Sequence, residues 1–303
     1  MTGDVLTVGT FDGVHLGHQA VLEEIARRAS ASGGRSVLVT FEPHPLEIVN
    51  PQAAPQLLTT AAEKRVVLAD SPVDHVAFLP FTAALAELPP ERFVREELER
   101  RFALAELVIG HDHGFGRGRA GGVELLRRIG REDGFAVDVV PAVVRDGRPV
   151  SSTQIRRAVA GGDLDTAREC LGRWYSVTGE VVRGAGRGRG LGFPTLNLAP
   201  PDPRKLLPPD GVYAARVSWR GERRGAMLNL GPRPTFAEAG RTLEAHLFDF
   251  TGELAGETVT VEFVRRLRDV MRFASAEALR SQLDRDRRDA LRALTELGGS
   301  INL

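Results

Sequence analysis

Two histidines three positions apart stand in the run Gly9-Thr10-Phe11-Asp12-Gly13-Val14-His15-Leu16-Gly17-His18. A pair spaced this way, with a glycine between that lets the backbone come close, can aim two imidazole donors at one phosphate chain. Such donors stabilise the charge that builds on a transferring α-phosphate and on departing pyrophosphate, and they need no covalent intermediate. The run follows an apolar stretch, Val5 to Val8, and opens an amphipathic one. That is the carboxyl end of a strand beside a helix N-terminus, where parallel sheets bind ligands.

A second cluster, Ser151-Ser152-Thr153-Gln154-Ile155-Arg156, immediately precedes another helical stretch. Taken alone it reads as a helix cap. Beside the histidines it reads as the other half of a triphosphate site, with hydroxyls on phosphate oxygens and an arginine one turn on as a clamp. Gly110-His111-Asp112-His113-Gly114-Phe115-Gly116 follows a further strand end. Its histidines would point to opposite sides of an extended chain and no further ligand is indicated, which argues against a metal site.

In the second half of the chain, a glycine-arginine loop from Gly184 to Gly192 leads into Phe193-Pro194-Thr195-Leu196-Asn197. The glycines let main-chain N–H groups wrap phosphates. A hydroxyl and an amide two residues apart, Thr195 and Asn197, share one face of a strand and suit Mg²⁺ beside the β- and γ-phosphates. Phosphoryl transfer to an alcohol also needs a group to receive its proton. Glu244 alternates with core-type Leu243, Ala245 and Leu247, so its carboxylate faces the other side of the sheet with His246 and Phe248, placed as a general base.

The histidine run and the Ser151–Arg156 run, in this order, resemble the HxGH nucleotidyltransferase superfamily. The longer forms, with Phe41-Glu42-Pro43-His44-Pro45, resemble the adenylyltransferase half of bacterial bifunctional riboflavin kinase/FAD synthetases. The resemblance implies His15 and His18 on the ATP phosphates, Ser152, Thr153 and Arg156 on the β and γ groups, and Asp112 at the ribose or adenine. Gly9 and Phe11 join the expected nucleotide-binding residues, and Phe41 to Pro45 would border the flavin or nucleotide pocket. The second set resembles the riboflavin kinase domain, with Gly211-Val212-Tyr213-Ala214, the run from Leu228 to Phe236 and the run from Glu244 to Phe250. It implies Gly184, Gly192, Thr195 and Asn197 at Mg²⁺-ATP, and Glu244 as the base that activates the ribityl 5′-hydroxyl. Three places depart from the family: Leu196 where alanine is usual, His113 where an aromatic is usual, and the tail with Arg265, Arg266, Arg268 and Met271-Arg272-Phe273, which has arginine where a lysine is more usual.

The elements that position these residues follow from periodicity. Up to Leu171, short apolar runs alternate with amphipathic stretches, which predicts an open, Rossmann-like parallel sheet with strands near Val5–Val8, Ser36–Phe41, His75–Leu79, Leu107–Ile109 and Ala136–Val140. Val21, Leu22, Ile25, Ala26 and Ala29 mark the buried face of the first helix. After Arg173 the period shortens to two, which predicts a mostly antiparallel sheet closed as a small barrel, with a final helix from about Ala276 to Leu297. The expected domains are residues 1–171 and 172–303, and 303 residues suffice for two cores.

Composition narrows the class. The formal net charge is zero, so no global field draws nucleic acid. Lys64 and Lys205 are the only lysines, and neither follows a Walker-type glycine loop. One cysteine, Cys170, rules out an intramolecular disulfide and a cysteine-rich zinc site, and its helical surroundings predict burial. No segment reaches the ~20 apolar residues of a membrane span. Met1 to Val5 lacks a secretory pattern, so the cytoplasm is expected.

The expected activity is ATP-dependent phosphorylation of riboflavin to FMN in the second domain. Adenylylation of FMN to FAD, with release of pyrophosphate, is expected in the first. Retention of one activity only, or a non-catalytic flavin- or nucleotide-binding regulator, are the alternatives. Oligomeric state is not legible in the sequence.

Overall fold

The computed structural model describes residues 3–111, 122–183, 193–199, 202–232 and 241–296. Contacts divide the chain into two compact units, Met1–Gln154 and Ile155–Leu303.

The first unit carries five parallel strands: β1 (Asp4–Val8), β2 (Ser36–Glu42), β3 (His75–Pro80), β4 (Leu104–Gly110) and β5 (Ala136–Val140), in the order β3-β2-β1-β4-β5. All five expected strands are present. The order reverses direction at β1, so the crevice at the carboxyl ends of β1 and β4 is the switch point where such sheets take ligands. Both faces are covered, so the strands are near-continuous apolar runs rather than alternating ones. Leu6, Val37, Val39, Leu107 and Ile109 enter one core, and Val5, Leu38 and Val108 the other. Helix α1 (Leu16–Ser32) buries Leu22, Ile25 and Ala29 against the second core, with Val21 also buried, and stops at Gly33, whose φ of 69° is the left-handed cap that glycine allows. Then come α2 (Pro45–Val49) and α3 (Ala61–Ala69), the latter capped by Thr60 and Glu63 in a reciprocal box. Short α4 (Ala83–Ala86) and α5 (Pro90–Phe93) precede α6 (Val123–Asp133).

A two-stranded ribbon, β6 (Val144–Arg145) with β7 (Arg148–Pro149), leads to α7 (Ser152–Gly161) and α8 (Leu164–Leu171). By contacts, α8 and α7 from Ile155 onward group with the second compact unit. Gly162 lies against Pro209, the Arg168 guanidinium stacks 3.9 Å over the Trp174 ring, and Cys170 is buried as expected.

The rest of the second unit is a closed barrel of six strands: β8 (Ser176–Val182), β9 (Leu196–Ala199), β10 (Gly211–Trp219), β11 (Glu222–Pro232), β12 (Arg241–Leu247) and β13 (Thr258–Arg268). Each ladder is antiparallel. Tyr213, Ala215, Leu228, Leu243, Ala245 and Phe263 fill the interior. The expected strand through Phe250 ends at Leu247 instead, because the chain turns at Asp249 with φ 50°. The final helix, α9 (Ala276–Glu296), packs Ala290, Ala293 and Leu294 on outward Ala214, Met227 and Val264. Its buried face also holds a carboxylate that no periodicity argument anticipates: Asp286, 2% exposed, takes two bonds from Arg268 at 2.8 and 2.6 Å.

Candidate active site

The loop leaving β1 is a tight turn in which Phe11, Gly13 and Val14 have φ of 48°, 81° and 39°. Two of the three are not glycines, and Val14 is β-branched, so the conformation is strained and the surroundings must hold it. The Asp12 carboxylate accepts from the N–H groups of Leu58 and Thr59 at 3.1 and 3.0 Å and from the Thr59 hydroxyl at 3.2 Å. Gly13 N–H donates to the Thr59 hydroxyl at 3.0 Å. Phe11 anchors the turn in the core.

His15 caps α1, its Nδ1 accepting from the His18 N–H at 3.3 Å. A neutral imidazole that accepts at Nδ1 carries its proton on Nε2, so that nitrogen is the ring's donor. The two histidine rings stack, 3.7 Å between centroids and 16° from parallel, and the Phe11 ring lies 4.5 Å from His18. Gly17 lies close against this stack. A Cβ there would stand 3.1 Å from His15 Cε1 and 3.2 Å from its Nδ1. Gly9, at the end of β1, donates its N–H to Val39 O at 3.0 Å.

The serine-threonine motif meets this loop. Ser152 Oγ donates to the Asp12 carbonyl at 2.9 Å, so its hydroxyl proton is committed to holding the turn, while Ser151 Oγ caps α7 through the Gln154 N–H at 3.3 Å. Thr153 is exposed on the first turn of α7, and Arg156 lies one turn further along that helix. Phe41 sits in the core against Phe81 and Phe93. His44 caps α2, with Nδ1 accepting from the Leu46 N–H at 3.2 Å and Glu47 closing the box. Asp112, His113, Gly184 and Gly192 lie outside the described residues, as does the run 233–236.

In the barrel, Asn197 and Glu244 are direct partners on β9 and β12, and Glu244 is in turn opposite Asn229 on β11. Directly paired residues point to the same side with Cβ atoms about 5 Å apart. Leu196, Ala245 and Leu228 occupy the inward positions beside them. The outer surface therefore carries a row Asn197–Glu244–Asn229. Leu196, the departure from the family pattern, faces inward opposite Ala245, where a small side chain leaves room for it. His246, one step along the same outer face, is buried: its Nδ1 lies 2.8 Å from Pro194 O and its ring meets Phe193 edge-on at 5.1 Å. Burial pushes its pKa below the ordinary histidine value. His246 thus fixes the start of the Pro194-Thr195-Leu196-Asn197 segment.

Thr195 and Asn197 supply neutral oxygens, the donor type a hard divalent cation prefers, with phosphate oxygens completing its shell. Among the described residues there is no cluster of three or more histidine, cysteine or acidic side chains. Two neutral donors fit a cation that takes its remaining ligands from phosphate oxygens.

Sequence reasoning missed Thr59 and Lys64 beneath the first loop and Asn229 in the second site, and it placed His246 on the Glu244 face without a role. Lys64 was conspicuous as one of two lysines, and Asn229 and His246 stood inside recognised runs. Asp12 too lay within the histidine motif without a role. Each gains its neighbour only through strand register or a contact across tens of residues.

Residues 1–154 match the FAD synthetase family model and residues 171–294 the riboflavin kinase model. The bifunctional riboflavin kinase/FMN adenylyltransferase of Pseudomonas fluorescens is 39% identical over 94% of this chain and 91% of its own, and that of Escherichia coli K12 is 37% identical over 94% and 90%. A crystal structure described as a macrolide-efflux protein of Streptococcus pneumoniae superimposes with a TM-score of 0.86 at 30% identity, covering 96% of this chain and 94% of that one. No helix among the described residues is long and apolar enough to cross a membrane. With both halves matched in order, and relatives aligned over nearly their whole length, the chain belongs to the bifunctional riboflavin kinase/FMN adenylyltransferase family, an ATP-dependent flavin kinase and adenylyltransferase in one polypeptide.

Proposed function

We propose that the two reactions run at two separate sites, one on the outer face of the barrel and one at the loop after β1, in domains bounded near residue 171. In the barrel, the ribityl 5′-hydroxyl oxygen of riboflavin attacks the γ-phosphorus of ATP, ADP leaves, and Glu244 takes the hydroxyl proton. Thr195 and Asn197 would hold Mg²⁺, which supplies charge neutralisation on the nucleotide phosphates when bound. Their place beside Glu244 brings phosphate and base to one patch, with Gly184 and Gly192 wrapping the nucleotide.

At the first site, a phosphate oxygen of FMN attacks the α-phosphorus of ATP, the bond to the β-phosphate breaks, and pyrophosphate leaves. His15 and His18 donate to the oxygens on which charge grows, at the positive end of α1. Thr153 and Arg156 hold the β and γ groups. Ser152 acts chiefly by orienting the loop through Asp12, and Gly9, Phe11 and Asp112 complete the nucleotide site. The substrates are small molecules, and the cytoplasm, where ATP is abundant, is the compartment assigned.

The observation that carries this reading is the Asn197–Glu244 pairing: register alone sets a candidate cation ligand beside a candidate base. The test follows FMN and FAD over time in a chromatographic assay of riboflavin, ATP and Mg²⁺. Glu244→Ala should lose FMN formation by about 100-fold or more while FAD is still made from added FMN. His18→Ala should do the reverse. Loss of both products in either variant argues against separate sites.

A further inference from the structure

Lys64 is on α3 and only 8% exposed. Its ammonium donates to three oxygens: Phe41 O at 3.0 Å, Thr10 O at 3.2 Å and Thr40 Oγ1 at 3.4 Å. The Thr40 hydroxyl donates onward to Thr10 O at 3.1 Å. A lysine ammonium has three N–H groups and no acceptor, so these oxygens match its capacity. A buried charge is tolerated where its donors are satisfied and an opposite charge is near. Burial pushes the Lys64 ammonium below the usual lysine range, and the Asp12 carboxylate opposes that.

The bonded groups explain why the charge is there. Thr10 begins the strained turn, and Phe41 is near the carboxyl end of β2. The far side of the turn is gripped from the same stretch of chain, since Leu58 and Thr59 bind the Asp12 carboxylate. Residues 58–64 therefore hold the turn on both sides of Phe11, immediately before it delivers His15. Backbone held at φ 48° and 39° by non-glycine residues persists only where its surroundings over-determine it.

We propose that Lys64 is a positioning residue for adenylyl transfer: bonded to Thr10, Thr40 and Phe41 beneath the loop, and with Asp12 anchored on the other side of Phe11, it sets the height at which His15 and His18 meet the phosphates. It acts through the loop, because its three donors are spent on protein oxygens. The proposal rests on the role given above to the two imidazoles.

The test uses the full chain, FMN and ATP-Mg²⁺ as substrates, and FMN formation from riboflavin in the same preparation as a control. Lys64→Met keeps the length and removes the charge. It should lower kcat for FAD formation by about 100-fold, the cost of misplacing a catalytic group by about 1 Å. The KM for ATP should stay within about threefold, since only transition-state alignment is lost. Thr40→Val, which keeps the ammonium and deletes one of its acceptors, should lower kcat by about three- to tenfold with the same unchanged KM.

A Lys64→Met enzyme with kcat within about threefold of the parent overturns the proposal, as does a rise in KM equal to the fall in kcat. Should Lys64→Met fail to fold, Thr40→Val decides, and an unchanged kcat there overturns it. His18→Ala, measured alongside, separates the two levels of the argument. Full activity in His18→Ala removes the imidazole assignment and the proposal with it, whereas an inactive His18→Ala beside a fully active Lys64→Met removes only the role of Lys64.

Discussion

Asn197 and Glu244 are opposite each other on neighbouring antiparallel strands, 47 positions apart in sequence, with their side chains on the outer surface of the barrel. The pairing sets an amide oxygen suited to a cation next to a carboxylate suited to a proton, and those are the two demands of phosphoryl transfer to an alcohol. The residues have different jobs, so their substitutions should separate. Asn197→Ala should raise the Mg²⁺ concentration for half-maximal FMN formation by at least about tenfold, with activity partly restored at high Mg²⁺. A Mg²⁺ titration of the kinase rate checks this, and an unchanged midpoint would remove Asn197 from the cation site.

The packing at Gly17 leads to a prediction for the other reaction. An added methyl would lie 3.1 Å from the His15 ring carbon and 3.2 Å from its Nδ1, so Gly17→Ala displaces the imidazole by a few tenths of an ångström. FAD formation from FMN should fall by about tenfold or more, while FMN formation is unaffected. Steady-state rates of both half-reactions on one preparation decide it.

His246 links the second site to pH. Burial is the main cause of its depressed pKa, and the Pro194 carbonyl opposes the shift only in part. The folded protein therefore holds this imidazole neutral at pH values where the unfolded chain protonates it. The unfolded state binds more protons, so stability rises with pH across that interval. The contribution is fully present above the ordinary histidine value of 6.5 and is lost as pH falls below it toward the folded value. His246→Asn should flatten this part of the profile. Denaturant midpoints of parent and variant between about pH 5 and 8 test it, and parallel curves would show that His246 does not contribute.

The sequence by itself determined the two architectures and the two motif sets. Periods of 2 and 3.6 are properties of short segments, so β1 to β5, α1, most of the barrel strands and α9 were legible. So was the histidine pair, because its spacing and its place between a strand and a helix are local. Only the tertiary structure decided that Asn197 meets Glu244, that Asn229 joins their row, and that the Ser152 proton goes to the Asp12 carbonyl. It also turned Lys64 from a compositional curiosity into the support of a loop. The reason is physical: local pattern tells which side of a strand or helix is buried. Which residues become neighbours depends on register and on hydrogen bonds between positions tens of residues apart, settled only when the whole chain packs.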